Sequence, residues 1–247
     1  LLDGLLAGAE TLIESPEAWA DRLASINGPL TARFLTQLRA EWFDAPAPDP
    51  FGAALREQVR GRLAAWHPGW PHLWVHILRV TGTALRLGEE AGLDPALSYA
   101  LGMCHDVAKL DEYRTGEPHE QAGARFAGEA LAGRFTPEEI AAIQGAILKR
   151  GQDALADVLH DADKLDKIGA TGLLRRVSVG TTHDWLPLAL ARVADDAVIF
   201  PPMRCALGRR LATEKLAFQG WLLPLLPPAA LSTSSTPSTL STLPPGD

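Results

Sequence analysis

The sequence predicts an all-α fold. Alanine and leucine dominate, strand-like alternation of β-branched and aromatic residues is missing, and apolar residues recur at helical spacing along most of the 247 residues. Punctuation supports the same reading. Breaks fall at Ser15-Pro16 and Gly28-Pro29, Asp94-Pro95 pairs an N-cap with a first-turn proline, and Thr136-Pro137-Glu138-Glu139 reads as a capping box.

Taken in order, Leu1 to about Phe43 reads as two or three short amphipathic helices. The joint Ala45-Pro46-Ala47-Pro48-Asp49-Pro50 follows and suits a boundary between an N-terminal accessory segment, 1–46, and a main helical domain, 47–227. Within that domain a helix starts near Trp70, another after Asp94, and Pro118 opens a third. The helix capped by Thr136 is expected to end at Gly151, after Lys149 and Arg150. Residues 228–247 are rich in Ser, Thr and Pro and poor in apolar side chains. Such a tail does not offset its own ordering entropy and is expected to be disordered. No internal repeat is visible.

Composition narrows the function classes. Apolar residues make up 47% and charged residues 21%, an ordinary globular balance. The net charge of −7 argues against a general nucleic-acid binder, though a metal and a few cations can reverse the sign locally. Two cysteines, Cys104 and Cys205, suggest a reducing compartment rather than a disulfide framework. The most apolar run, Trp221 to Leu231, is short and broken by prolines, so no membrane span is expected. The first positive charge is Arg22, so no secretory leader is expected, and the cytoplasm is the expected location.

Three segments carry chemistry. On the helix near Trp70, Leu73, Trp74, Ile77, Val80, Ala84 and Leu87 form an apolar face. Beside it runs a second strip of His72, His76, Arg79, Thr83 and Arg86, which is either a polar flank or a place for a metal and a phosphate oxygen. Leu97 to Leu110 contains His105-Asp106 in an apolar context, where an unpartnered charge is costly. Two other His-Asp pairs, His160-Asp161 and His183-Asp184, have less apolar surroundings. The third segment, His160-Asp161-Ala162-Asp163-Lys164-Leu165-Asp166-Lys167, alternates carboxylates with lysines. Read alone it is a solvated face.

The order and spacing of His76, His105-Asp106 and Asp163 resembles the HD-domain superfamily of metal-dependent phosphohydrolases, over roughly Trp70 to Gly180. His76-Ile77-Leu78-Arg79-Val80 looks like the first-ligand helix of that family. Gly116-Glu117-Pro118-His119-Glu120 resembles the segment after the His-Asp pair, and Asp161 to Gly172 resembles the last-ligand segment of small bacterial HD nucleotide phosphohydrolases. The resemblance implies a helical bundle and one divalent metal held by His76, His105, Asp106 and Asp163, with Asp161 the competitor for the last position. Manganese is the first expectation, and iron, cobalt, nickel and magnesium also tolerate this ligand set. By resemblance Arg79 and Lys109 face the substrate phosphate; Lys164 and His119 are further substrate contacts, with His119 also open as an extra metal ligand or a plain helix-start histidine, and Asp106, Lys109 and Asp166 are the expected catalytic residues. Asp111, Asp166 and His72 stay open as general acid or base, whereas His67 and His183 are assigned to structure or surface.

There are departures from the pattern. Binuclear members carry further histidines on the next helix, where this chain reads Ile147-Leu148-Lys149-Arg150, so a single metal is favoured. The acidic pair of guanosine-tetraphosphate hydrolases is replaced by Lys109, with Asp111 two residues on. The implied activity is hydrolysis of a phosphate ester or anhydride in a nucleotide or similar small molecule. The alternatives are a phosphodiesterase acting on a cyclic nucleotide or nucleic-acid ends, and a nucleotide-binding sensor without catalysis. Leu1 to Phe43 has three open roles: covering the active site, forming a homodimer, or packing on the core.

Overall fold

The structure, a computed structural model, describes residues 13–24, 28–65, 71–179, 186–198 and 202–226. The α-helices there are α1 (Pro16–Leu23), α2 (Pro29–Glu41), α3 (Pro50–Ala64), α4 (Pro71–Glu90), α5 (Pro95–Cys104) and α6 (Lys109–Thr115). They continue as α7 (His119–Ala130), α8 (Pro137–Ile147), α9 (Ala154–Leu165), α10 (Gly169–Val179), α11 (Leu186–Val198) and α12 (Ala206–Leu222). Among the described residues there is no β-strand beyond one isolated bridge between Ala132 and Phe135, so the fold is all-α as expected. None of these helices is long and apolar enough to cross a membrane. Trp70, His67, His183-Asp184 and the tail lie outside the described residues.

Side-chain caps start many of the helices. Ser15 accepts from the Ala18 amide, Asp49 from Gly52, Asp94 from Ala96 and Asp153 from Ala156. Each satisfies an amide that the first helical turn leaves without a partner. The capping box at Thr136 and Glu139 is closed on both sides. The far end of α8 differs from expectation. The helix stops at Ile147, and Lys149, not Gly151, takes the left-handed conformation, with φ 59°. The Arg150 amide reaches back to the Gly145 carbonyl at 2.9 Å and the Lys149 amide to Ala146 at 3.0 Å, the two bonds of a Schellman ending. Gly151 is needed instead for space, since a Cβ there would meet the Ala156 Cβ at 2.9 Å.

Two apolar clusters share α4. One joins α3 to α9 through Val59, Ile77, Val80, Leu101, Met103, Ile143, Val158 and Leu165. The other joins the N-terminal helices to the C-terminal ones through Trp19, Phe34, Leu38, Leu173, Leu190 and Phe218, with Val75 of α4 among them. Burying a side chain of this size is worth roughly 1.5–3 kcal/mol. The backbone just before the Pro-rich joint lies against α4, where a Cβ at Gly82 would collide with the Phe43 carbonyl. Glu41 adds a polar clamp inside this second cluster. Its carboxylate accepts from the Ala170 amide at 3.0 Å, the Thr171 amide at 2.9 Å and the Lys215 ammonium at 2.9 Å.

Candidate metal centre

Helix α4 delivers His76 to the middle of the first cluster, and the turn after α5 delivers His105 and Asp106 against it. The stretch read from Leu97 to Leu110 is thus two helices with a turn at 105–108, and that turn aims the His-Asp pair sideways. His76 Nε2 lies 3.2 Å from His105 Nε2, 3.5 Å from Asp106 Oδ2 and 3.7 Å from Asp163 Oδ1. His76, His105 and Asp106 offer donor atoms within 4.8 Å of one another, and all three are buried. Asp163, on α9, joins through His76 and also meets Lys164 at 3.3 Å and Lys167 at 3.2 Å.

The hydrogen bonds behind the rings decide the tautomers. His76 Nδ1 lies 2.7 Å from Asp166 Oδ2, and His105 Nδ1 lies 2.7 Å from the Gly102 carbonyl. Both acceptors call for a proton on Nδ1, which in a neutral ring leaves Nε2 as a lone pair. Burial pushes the His105 pKa down, against the pull of Asp106 beside it. Two lone pairs facing each other at 3.2 Å beside carboxylates repel without a cation between them. The donor set therefore fits a divalent first-row metal or magnesium. Burial would raise the Asp106 carboxyl, but His105, His76 and Lys109 overcome it and hold it well below the usual range.

Several expected roles change. Asp166, read as catalytic, is buried behind His76 and bound by Arg79 through Nε at 2.5 Å and Nη2 at 3.0 Å. It orients the imidazole and does not reach the cavity. Arg79, read as a phosphate contact, is consumed by the same carboxylate, with its guanidinium over the Trp42 ring at 5.4 Å. Neither lines the cavity, because the low-dielectric interior holds each to its opposite charge. Asp161, the rival of Asp163, is fully buried and turned away. It accepts from the Arg204 amide at 2.9 Å and the Cys205 amide at 2.7 Å, capping α12. Asp111 is held by Arg62 and by Arg114, and His72, pushed down to about 4 chiefly by burial, also stays off the cavity wall.

The cavity beside the cluster measures about 220 Å³. His105, Asp106, Lys109, His119, Asp163 and Lys164 line it as read from sequence. His119 sits with Nδ1 2.5 Å from Glu112 and Nε2 3.5 Å from Asp106, next to Lys109 at 3.3 Å. Lys149, Lys167, Arg175 and Arg204 also line it and were not singled out. With Lys109 and Lys164 they make six cations against the carboxylates Asp106, Glu120 and Asp163, in a chain whose net charge is −7. Burial pushes the Lys167 amine down to about 8 even though Asp163 is beside it.

Residues 73–168 match the family model of the HD domain. Those residues carry an HD domain. An uncharacterized protein of Clostridium beijerinckii is 30% identical over 103 residues, which is 39% of this chain and 66% of that protein. A predicted HD superfamily hydrolase from an uncultured Thermotogales bacterium has a similar crystal structure, with TM-score 0.56 and 21% identity over 70% of this chain and 89% of that one. Bacillus subtilis YpgQ, solved in complex with ADP, has TM-score 0.51 and 21% identity over 71% of this chain and 92% of its own. The HD fold with its His-His-Asp cluster supports a metal-dependent hydrolase. The HD match contains His76, His105, Asp106 and Asp163, whereas Arg175 and Arg204 come from beyond it. No spacing rule links those two to the ligands, which is why the sequence did not mark them.

Proposed function

We propose that this HD-domain protein hydrolyses a phosphate ester or anhydride of a nucleotide or similar small molecule, using one divalent metal held by His76, His105, Asp106 and Asp163. The observation that carries the reading is the pair of Nε2 atoms 3.2 Å apart, each ring fixed by a hydrogen bond at its Nδ1. A metal there supplies Lewis acidity and an activated water. The chain's residues do the rest. Lys109, Lys164, Lys149 and Arg175 attract and orient an anion, and the buried carboxylates keep the ligand set charged. The cation excess on the cavity wall favours phosphate over a neutral substrate. The ADP complex of YpgQ shows that a similar fold accepts a nucleotide. Manganese remains the first expectation for the metal.

The test is a screen of nucleoside mono-, di- and triphosphates with purified protein and added manganese, reading phosphate and pyrophosphate release. Chelation is expected to abolish turnover, and Asp106→Asn is expected to remove stoichiometric metal. Full activity after chelation would refute the reading.

A further inference from the structure

The residues first considered for proton transfer do not face the cavity, but a second His-Asp pair does. His160 lies on α9 and lines the cavity wall. Its Nδ1 is 3.0 Å from Asp161 Oδ1. Asp161 cannot swing away, because it is fully buried and its oxygens already accept from the backbone amides of Arg204 and Cys205. A carboxylate fixed in this way places the proton of the neutral ring on Nδ1 and leaves Nε2 as the acceptor. Among the described residues Nε2 has no hydrogen-bond partner, and it is not among the enclosed polar atoms that lack one. The ring itself is part of the cavity wall.

His160 and Asp163 are three residues apart on one helix, so they share a face about one turn apart, roughly 5–6 Å between Cβ atoms. His160 is not in the group of donor atoms that lie within 4.8 Å of one another. It stands on the wall of the cavity that His105, Asp106 and Asp163 also line. Nucleophile and leaving group occupy opposite sides of phosphorus, so a group set back from the metal meets the departing oxygen.

We propose that His160, oriented by Asp161, is the proton donor to the leaving oxygen. This rests on the phosphohydrolase reading above. Water forms the new P–O bond and releases a proton to solvent. Nε2 first takes a proton from solvent, giving the imidazolium that Asp161 holds at Nδ1; the old P–O bond then breaks with its electron pair on the leaving oxygen, which takes that proton and returns the ring to its neutral form. Nothing is oxidised or reduced.

The experiment compares the full-length wild type with His160→Gln and His160→Ala, all loaded with manganese, on the best substrate from the nucleotide screen. Both variants should keep metal stoichiometry and melting temperature. Their kcat should fall by roughly 10²-fold or more. Added imidazole should restore His160→Ala in a concentration-dependent way, which a structural role would not allow. Nitrogen-15 NMR of the metal-free protein should place the proton of neutral His160 on Nδ1. An unchanged kcat, a loss that imidazole does not repair, or the opposite tautomer would overturn the assignment while leaving the phosphohydrolase reading intact. Absence of any metal-dependent phosphate release from the wild type would overturn that reading and this assignment with it.

Discussion

Asp166→Asn removes one charge and keeps the shape of the side chain. Asp166 is 4% exposed and holds four bonds, one from His76 Nδ1, two from Arg79 and a longer one from Arg175 at 3.4 Å. The amide leaves Arg79, 5% exposed, without a buried counter-charge. Breaking a buried pair this way costs about 3–5 kcal/mol. The lower end is expected, because the Asn oxygen still accepts one bond from Arg79 and the Trp42 ring still faces the guanidinium. For a chain of this size, about 3 kcal/mol lowers Tm by roughly 6–12 °C. The second effect is on the metal. Without the carboxylate, His76 loses the partner that sets its tautomer, and affinity should fall about 10–100-fold. Chelator-treated protein in urea isolates the first effect, and a manganese titration reads the second. Adding Arg79→Met removes the orphaned charge, so the double variant should regain much of the stability and none of the affinity. A single variant that binds metal as tightly as the wild type would refute the orienting role. An unchanged Tm would refute the buried-charge argument.

Lys149→Gly should raise stability by up to about 1 kcal/mol, because a left-handed Lys is strained and Gly is not. The same change should raise KM for the phosphate substrate, since a cavity cation is lost; thermal melts and steady-state kinetics read the two effects. Glu41→Gln should destabilise by about 3 kcal/mol in urea, because Lys215 is left buried beside a neutral amide and α10 loses charge at its N-terminus. Stability should fall as pH drops from 6.5 to about 4, since His72 in the folded chain resists protonation that the unfolded chain accepts. Melting curves across that window should flatten in His72→Asn. Asp163 and Asp166, both held below the usual carboxylate range against their burial, extend the loss to lower pH as they are forced to protonate.

Helix starts were legible in the sequence because a cap and its amide are two or three residues apart. Ser15, Asp49, Asp94 and Thr136 all act locally. The ligand candidates were legible for a related reason, as His76 on one amphipathic helix and an adjacent His-Asp pair in an apolar run are local patterns. What each charged side chain does was decided by partners far along the chain. Asp161 and Asp163 are two residues apart on one helix, yet one caps α12, 43 residues on, and the other meets His76. Arg79 and Asp166 both read as site residues until the fold, joining them across 87 positions, buried them against each other. The end of α8 departs from the glycine rule: Lys149, the left-handed residue there, is one that local propensity would not pick. Local hydrogen bonding and periodicity are written in the sequence. The pairing of buried charges depends on which helices meet, and only the tertiary structure sets that.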